Sequence, residues 1–570
     1  MLYVNKRRAS AILLALLVAF GGVEAQASST DVFKNGVVEE EAILWEEPWN
    51  GKVPAAEEQL DYETSLAMRI EGSARENPVS ENPPSRFPEL ESEKEILAYL
   101  KRKYPATRNQ TTGGVHYGSC WAHAAAALAE FYAIRHGLSD RYGPVNTRAN
   151  YSELQLAYFC YHETPEPLSG DTGDALTLYL DSGKRRNFLN LGGNLRFAAQ
   201  SLMRRNGFVR DAGAVAYKKA KRVLKYGLDG KYAAGVDALC LKNAMMVNLW
   251  QNPKLVKQAI LANGAVGITF HYQKRYMNRR TNAYFNGRKA SFNHVAVVVG
   301  WDDSYPAENF REKPEADGAW LIRNSHSVKT AFSPESYFWL SYYDTSLGTA
   351  AYIYEMADRE KGETFDNQYY YDGQLHNVTN AMTRKSANVF KAFRQEEVLK
   401  AVQFDVTCGI PGNYRVTVYK NPSDPNDPES GEPAADAVTC GKLSFAGYYT
   451  IPLKAPVALK KGDTFCVVVE TDTPVDRECD AFWKKQLSMD TSMHELESFS
   501  FVDGEWWDLS WNTADNTRGN LCIRALTDTV KWVASPDTRT RLNIHSSLAG
   551  AMNVPGRNAL NEILRPSASE

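Results

Sequence analysis

A cysteine at the predicted start of a helix is the residue of this sequence best placed to act as a nucleophile. Cys120 follows Gly118 and Ser119 and opens an alanine-rich stretch that ends before Gly137, which predicts a helix over residues 119–136. Unpaired N–H groups and the positive end of the helix dipole favour the thiolate, the form of cysteine that attacks carbonyl carbon. A lone cysteine is more often a small buried hydrophobe, so this hypothesis needs partners elsewhere in the chain.

A histidine and an asparagine at the ends of two predicted strands are the candidate partners. A thiolate nucleophile needs a base that later protonates the leaving amine, and the base needs an acceptor that orients it. His294 follows Asn293 and begins an apolar strand that continues to Trp301, and Asn324 ends the next strand. Either residue alone would be interpreted as structural. Together with Cys120 they predict a nucleophilic site.

The elements that must position these residues are helical first and β-rich afterwards. A second helix is predicted at 194–206, and a third begins at Asn252 and Pro253 and ends at Gly264. Apolar and aromatic runs then predict strands at 265–272, 294–301, 319–323 and 337–343.

A further β-rich region begins near residue 365, where short runs are separated by Gly, Pro and Asn turns. This spacing predicts a β-sandwich with strands at 387–393, 398–406, 414–419, 448–453, 464–470 and 520–525. Its Trp506, Trp507 and Trp511 either stack on sugar rings or pack the core, which is the commoner role. The tail at 528–570 is polar and stays unassigned.

Length, composition and charge limit the classes of protein that fit. The chain has 570 residues and a mass of 63.8 kDa, enough for two to four domains. A net charge of -3 provides no field that would capture phosphate backbones, so no nucleic-acid partner is predicted. Eight cysteines are too few for a fold built on disulfides. Export would permit pairs among Cys408, Cys440, Cys466, Cys479 and Cys522, with the connectivity open.

The first 27 residues predict export from the cytoplasm. Lys6, Arg7 and Arg8 precede an apolar run at 11–20, and small residues follow, as in a secretory signal peptide. The run is too short to span a bilayer, so no membrane span is expected after signal cleavage. Residues 28–95 carry 17 acidic against six basic side chains. They are interpreted as a pro-segment that covers an active site or as a solvated linker.

The order of these motifs resembles that of the papain-like cysteine peptidases. His294 and Asn324 lie further downstream than the roughly 130 to 150 residues usual for the family, and insertions around 164–189 and 302–317 can absorb the excess. The motifs occur in the order Arg108-Asn109-Gln110, Gly118 to Ala122, Ser152-Glu153 with Leu156, Gly192-Gly193, Asn293-His294 and Asn324-Ser325.

The resemblance is closer to exported bacterial members in which a lectin-like β-sandwich follows the peptidase, and it covers about residues 96–527. It implies an α+β fold: a two-lobed papain-like peptidase at 96–358, with a helical lobe before a β-rich lobe, and an all-β sandwich at 365–527. The subfamily's motifs are matched at Gly170 to Asp174, Leu191 to Asn194, Gly300 to Asp303, Gly318 to Leu321 and Ala387 to Phe390.

The resemblance also implies a role for each site residue. Cys120 would be the nucleophile, His294 the general base and acid, and Asn324 the residue that orients the imidazole. Gln110 would donate to the oxyanion together with the Cys120 backbone N–H. The substrate-binding cleft would be lined by Gly192 and Gly193 and flanked by Trp121 and Asn293. No cofactor and no metal are predicted.

Four departures from the family pattern bear on the site. Gln110 lies ten residues before the nucleophile rather than about six, because Thr111 to Val115 lengthen the loop. Tyr117 stands where a disulfide cysteine is often found. His326 replaces the tryptophan that usually shields the Asn–His contact, and His123 replaces an aromatic residue, which brings cations or water near the site. Zinc at His326, His116 and His123 is disfavoured, because His116 and His123 are seven residues apart and no carboxylate or cysteine partner is nearby.

The sequence thus predicts an exported cysteine endopeptidase that hydrolyses peptide bonds through an acyl-enzyme intermediate. Its partners would be protein or peptide substrates, with a carbohydrate or cell-surface ligand open for the sandwich. Its location would be the medium, the periplasm or the cell envelope. Two alternatives stay open: a catalytically silent binding protein that keeps the peptidase fold, and a thiol acyltransferase.

Overall fold

The computed structural model describes residues 85–543 except 88–89, 91, 139–149, 163–176, 179–186, 205–206, 234–238, 327–335, 374, 376, 381–382, 408–410, 484–486, 490, 513–517 and 535–539. The predicted signal peptide, most of the acidic segment 28–95, the 170–174 motif and most of the tail lie outside the described residues.

The helices of the described chain lie in its first half. Those predicted around 119–136, 194–206 and 253–264 are confirmed with slightly shorter bounds. Side chains cap several of them: Ser92 and Glu95 form a capping box, and Ser152 and Asn194 each accept from a backbone N–H in the first turn. The helices are α1 (Glu93–Lys103), α2 (Cys120–Arg135), α3 (Glu153–Cys160), α4 (Leu195–Met203), α5 (Ala220–Tyr226) and α6 (Pro253–Asn263).

Helix α2 is the central element of the first half. Twelve of its 16 residues are buried, so it is enclosed on all sides instead of presenting one face to solvent. Its alanines let neighbouring backbones approach closely. It packs against α3, α4 and α6 and against three strands of the main sheet. The first residue of α2, Cys120, is therefore held on a rigid support.

The strands of the first half bring the predicted site residues to one sheet. Antiparallel β5, β8 and β9 are neighbours, so the start of β8 and the end of β9 lie near each other. The strands are β1 (Thr111–Thr112), β2 (Val115–His116), β3 (Thr177–Leu178), β4 (Leu241–Asn248), β5 (Val266–Phe270), β6 (Met277–Asn278), β7 (Ala283–Tyr284), β8 (His294–Asp302), β9 (Ala319–Arg323), β10 (Tyr337–Ser341) and β11 (Ala350–Met356).

The second half is built from strands whose apolar faces share one core. That core takes side chains from β15, β18 and β25 on one side and from β14, β16 and β19 on the other. The strands are β12 (Asn367–Tyr369), β13 (Asn377–Thr379), β14 (Lys385–Lys391), β15 (Glu396–Val406), β16 (Gly412–Lys420), β17 (Glu432–Leu443), β18 (Ala446–Lys460), β19 (Thr464–Thr471), β20 (Asp476–Glu478), β21 (Ala481–Trp483), β22 (Leu487–Met489), β23 (Ser498–Val502), β24 (Glu505–Asp508), β25 (Ile523–Thr529), β26 (Lys531–Ala534) and β27 (Thr540–Asn543).

One hydrogen-bonded sheet crosses the boundary between the two predicted domains. Its 12 strands run in the order β12-β25-β15-β18-β4-β11-β5-β8-β9-β10-β7-β6, and β18 pairs antiparallel with β4. At this junction Gly447 has φ 156°, and a Cβ there would lie 2.2 Å from the Ala244 carbonyl oxygen. Strand β4 was not predicted from the sequence, and it is the strand that joins the halves.

A buried polar network also ties the two halves together. Arg524 on β25 forms an ion pair with Asp372, and both side chains are fully buried. From helix α4, Gln200 Nε2 donates to Asp372 Oδ2 over 3.0 Å, and Arg204 Nη1 donates to the Gly373 carbonyl over 2.8 Å. A buried pair of this kind is costly to break from one side only. Within the described residues, no helix combines the length and the apolar composition that crossing a bilayer requires.

Candidate active site

Cys120 begins helix α2 and is half-buried. Ser119 is the N-cap residue, and its backbone carbonyl accepts from the N–H groups of Ala122 and His123, so the chain turns sharply beneath the thiol. On the other side, the Gly118 N–H donates to the Asn190 side-chain oxygen over 3.0 Å. The thiol therefore stands at the positive end of a buried helix, which favours the charged form of a nucleophile.

His294 and Asn324 are in direct contact. The His294 Nε2 atom lies 2.6 Å from the Asn324 Oδ1 atom, and both residues are buried. Because an amide oxygen only accepts, Nε2 carries the proton, which leaves Nδ1 of the neutral ring as the basic nitrogen. The Ser325 N–H donates to the same oxygen over 2.8 Å, which fixes the orientation of the amide. Burial lowers the pKa of His294 to about 4, against the opposing effect of the Asn324 hydrogen bond.

Gln110 lies beside this pair, but both polar atoms of its side-chain amide already have hydrogen-bond partners within the protein. Its Nε2 donates to the Tyr117 carbonyl over 2.6 Å and lies 3.3 Å from His116 Nε2. Its Oε1 accepts from the Ser325 hydroxyl over 2.7 Å, and its backbone N–H donates to the Ser325 carbonyl over 2.7 Å. Both amide protons thus have partners within the protein, and the side chain is buried.

Tyr217 lies at the candidate site, although no sequence pattern indicated it. Its hydroxyl lies 2.6 Å from the Ser119 hydroxyl and donates to the Gln110 backbone carbonyl over 3.1 Å. It therefore links the segment before the nucleophile to the segment that carries Gln110. A tyrosine in a short 3-10 turn has no sequence signal that would indicate this role.

The residues predicted to line the substrate-binding cleft fall into two groups: the two glycines with Trp121, and Asn293 with the Tyr272 backbone. Gly193 has φ 141°, and a Cβ there would lie 2.6 Å from the indole of Trp121, so the backbone lies directly against that ring. The Gly192 carbonyl accepts from the Tyr161 hydroxyl over 2.8 Å. Trp121 itself is only 1% exposed, so it contacts this glycine segment from within the protein. Asn293 is exposed, and its amide binds the Tyr272 backbone.

A buried cluster of charges holds the site's segments together. Arg108 donates to Glu130 on α2 and to Glu153 on α3, and Arg323 lies 3.5 Å from Glu130. Arg108 is two residues before Gln110, and Arg323 directly precedes Asn324. The two carboxylates raise the pKa of Arg108 against the effect of its burial. Removing one member would leave its partner charged and buried, which is strongly destabilising.

Two histidines replace aromatic residues near the site, and burial keeps both neutral. The His123 side chain is buried on α2 and its pKa is lowered to about 3. The His326 ring centroid lies 4.7 Å from that of His294, and burial lowers its pKa to about 2. The lowered pKa values disfavour the cations that the sequence predicted at these two positions.

The three tryptophans of the second half differ in their surroundings. Trp506 is buried and its ring contacts Phe501, with 5.2 Å between centroids. Trp507 and Trp511 are half-buried and meet edge to face at 5.3 Å. The Trp507 Nε1 atom donates to Asn512 over 3.2 Å. Trp506 therefore packs in a small hydrophobic cluster with Ala387, Val468 and Phe499, whereas the other two keep partly accessible faces.

Comparison with known proteins supports the same organisation. A family model described as a lectin-like domain matches residues 368–527. No curated protein sequence matches the chain.

Two solved structures of the clostridial cysteine protease Cwp84 are similar to this chain. One shows Cwp84 after propeptide cleavage, at 22% identity and a TM-score of 0.54, and covers 76% of this chain and 98% of its own. The other holds the cysteine protease and lectin-like domains of Cwp84, described as a surface layer associated protein of Clostridium difficile. It has 22% identity and a TM-score of 0.55, and covers 76% of this chain and 87% of its own. The resemblance predicted from the motifs is confirmed at the level of fold: this chain has the fold of a papain-like cysteine peptidase with a lectin-like domain.

Proposed function

We propose that this chain is an exported cysteine endopeptidase that uses Cys120, His294 and Asn324. The observation that carries the proposal is the 2.6 Å contact between His294 Nε2 and Asn324 Oδ1. The two residues lie at adjacent ends of β8 and β9, in the sheet that packs on α2, and Cys120 is the first residue of α2. An imidazole oriented by an amide oxygen, together with a thiol at a helix N-terminus, is the arrangement that thiol-based acyl transfer requires.

The reaction begins when His294 Nδ1 takes the thiol proton and the thiolate attacks the scissile carbonyl carbon. The C–N bond then breaks as His294 returns the proton to the leaving amine, which leaves a thioester on Cys120. Water attacks the thioester after losing a proton to His294, and the C–S bond breaks to release the acid. Throughout, the His294 Nε2–H donates to Asn324 Oδ1, which keeps the ring in one orientation.

The oxyanion of the tetrahedral intermediate is assigned to the Cys120 backbone N–H and to Gln110. In the resting arrangement Gln110 donates to the Tyr117 carbonyl and contacts His116. Donation to the substrate therefore requires one of these contacts to be exchanged. The absence of such a donor typically costs about 3 to 4 kcal/mol of transition-state stabilisation. We propose that substrate binding causes the exchange.

The engaged amide of Gln110 favours one alternative, a catalytically silent binding protein with the peptidase fold. A thiol acyltransferase would use the same first step and pass the acyl group to an amine. We further propose that residues 28–95 are a pro-segment, that residues 1–27 direct export, and that the half-buried Trp507 and Trp511 contact a sugar or surface ligand. Gly192 and Gly193 would bind substrate backbone, with Trp121 packed against Gly193, and Asn293 would provide a further substrate contact.

The decisive experiment is mass spectrometry of a peptide library incubated with the purified protein under reducing conditions. The comparison uses Cys120→Ala and, as a matched control, Cys440→Ala, which removes an exposed thiol from β17. We expect cleavage by the wild type and by Cys440→Ala, and none by Cys120→Ala. Products that carry an added amine would identify the acyltransferase. No cleavage by any form, with the pro-segment removed and Cys120 reduced, would favour the binding protein.

A further inference from the structure

We propose that His326 is a positioning residue that holds the Asn324 amide in its working orientation by accepting a hydrogen bond. This inference rests on the proposed function of the Cys120–His294–Asn324 site and assigns a role to a residue that departs from the family pattern. The carrying observation is the 3.2 Å contact between Asn324 Nδ2 and His326 Nδ1.

The protonation state of His326 follows from this contact. Because an amide nitrogen only donates, Nδ1 of His326 must be the acceptor, and the ring proton lies on Nε2. A charged ring would present a second donor to Asn324 and break the bond. Burial of the half-exposed ring is the main reason that it stays neutral. The charge of Lys274 adds to this effect, as do His116 and His294 whenever either of them carries a proton. The Tyr272 ring covers it with 4.7 Å between centroids.

The hydrogen bonds of Asn324 therefore form a directed chain. Asn324 Nδ2 donates to His326, while its Oδ1 accepts from His294 Nε2 and from the Ser325 N–H. Donation from the amide nitrogen draws electron density towards the amide oxygen, so that oxygen becomes a stronger acceptor. A stronger acceptor stabilises His294 most when the ring is an imidazolium, which is the state that accompanies the thiolate.

These hydrogen bonds also disfavour the flipped orientation of the Asn324 side-chain amide. With Oδ1 and Nδ2 exchanged, the amide would direct donors at His294 Nε2 and at the Ser325 N–H, and its oxygen would face His326. His294 would then have to move its proton to Nδ1, the nitrogen needed as a base. A ring that accepts from Asn324 is thus more than a cover for the Asn–His contact, because a purely apolar ring could cover the contact but could not accept.

Two substitutions at position 326 distinguish a side chain that accepts a hydrogen bond from Asn324 from one that only covers the Asn324–His294 contact. His326→Phe keeps an aromatic ring but has no acceptor, whereas His326→Asn places an amide oxygen near the position of Nδ1 on a smaller side chain. The first readout is kcat and the pH dependence of kcat/KM. The second is the rate at which iodoacetamide alkylates Cys120 as a function of pH, which reports the thiolate–imidazolium pair without requiring peptide cleavage.

We expect His326→Phe to lower kcat by about 3- to 10-fold, the effect of one lost hydrogen bond, with KM nearly unchanged. The alkaline limb of kcat/KM and the upper inflection of the alkylation profile should both move to lower pH, because the imidazolium is less stabilised. His326→Asn should restore both profiles towards the wild type. Circular dichroism and the thermal midpoint show whether each variant is folded.

The proposal is overturned if His326→Phe has the wild-type alkylation profile, or if a folded His326→Asn is as impaired as His326→Phe. The second result would show that ring packing is what matters. Failure of the proposed function is a separate result: the wild type would cleave no peptide. The alkylation profiles of the same three proteins would still confirm or overturn the role of His326.

Discussion

Replacing His123 with phenylalanine should remove part of the acid sensitivity of the folded protein. His123 is buried, its Nδ1–H donates to the Ser119 carbonyl over 3.0 Å, and its Nε2 has no hydrogen-bond partner among the described residues. Burial is the main reason that its pKa falls to about 3 from an ordinary 6.5. The native protein therefore holds this ring neutral at pH values where the unfolded chain protonates it.

The sign and the size of the effect follow from linkage. The unfolded state binds more protons between about pH 6.5 and pH 3, so the free energy of unfolding falls as the pH is lowered through that range. At pH 5, about 1.5 pH units below the ordinary pKa, and with 1.36 kcal/mol per unit, His123 accounts for a loss of about 2 kcal/mol. Phenylalanine binds no proton, so the variant should lose about 2 kcal/mol less between pH 7.5 and pH 5.

At pH 7.5 the two proteins should be similar in stability. Phenylalanine keeps the edge-to-face contact with Tyr217, whose ring centroid lies 4.6 Å away. Loss of the hydrogen bond to Ser119 lowers the free energy of unfolding by about 1 kcal/mol. Removal of the buried Nε2, which has no hydrogen-bond partner among the described residues, acts in the opposite direction. The contributions of His294 and His326 are present in both proteins and cancel in the comparison.

The assay is urea unfolding of wild type and His123→Phe at pH 7.5 and pH 5, followed by tryptophan fluorescence. His494→Phe, which changes a histidine on the exposed surface of the second half, is the control and should keep the full pH dependence. A direct check is NMR of the histidine Cε1 protons, where one resonance that does not titrate down to pH 4 should disappear in His123→Phe. Equal losses of unfolding free energy in wild type and His123→Phe between the two pH values would show that His123 is not a source of the acid sensitivity.

Three further predictions concern residues that pack against the candidate site or join the two halves of the chain. Gly193→Ala should raise KM and lower the thermal midpoint, because its Cβ would lie 2.6 Å from the Trp121 ring at φ 141°; wild-type kinetics would contradict this packing. Tyr217→Phe should destabilise the protein by about 1 to 3 kcal/mol and lower kcat, because Ser119 loses its acceptor; urea unfolding and kinetics measure this, and unchanged values would count against the link. Gly447→Val should impair folding of the peptidase half as well as the sandwich, since its side chain would meet the Ala244 carbonyl; limited proteolysis that finds the peptidase half intact would argue that the halves fold independently.

Local patterns predicted several elements well because short-range physics decides them. Helix α2 was predicted from its alanine-rich stretch and from Gly137 after its end, and α6 from the proline at its first turn and Gly264 after its end. Strand β9 occurs at the predicted bounds, and β8 starts at His294 as expected. Each of these elements carries its own start or stop signal.

Strand β4 shows where local pattern failed. Its buried residues recur at every third position, Leu241, Ala244 and Val247, which is not the alternation that predicts a strand. It becomes a strand because β11 and β18 pair with it on both sides, and those partners lie far away in sequence. Its existence and the continuous sheet through it are thus tertiary effects.

The sequence alone determined which residues could form the candidate site, because Cys120, His294 and Asn324 lie at predicted element ends and occur with other motifs in the order that resembles papain-like cysteine peptidases. Tertiary structure alone decided how they are supported. The lengthened loop brings His116 against Gln110, and Tyr217 bridges Ser119 to the same segment. Burial then keeps the rings of His123 and His326 neutral. These contacts join residues distant in the chain, and the energy of a buried group depends on neighbours that no local pattern specifies.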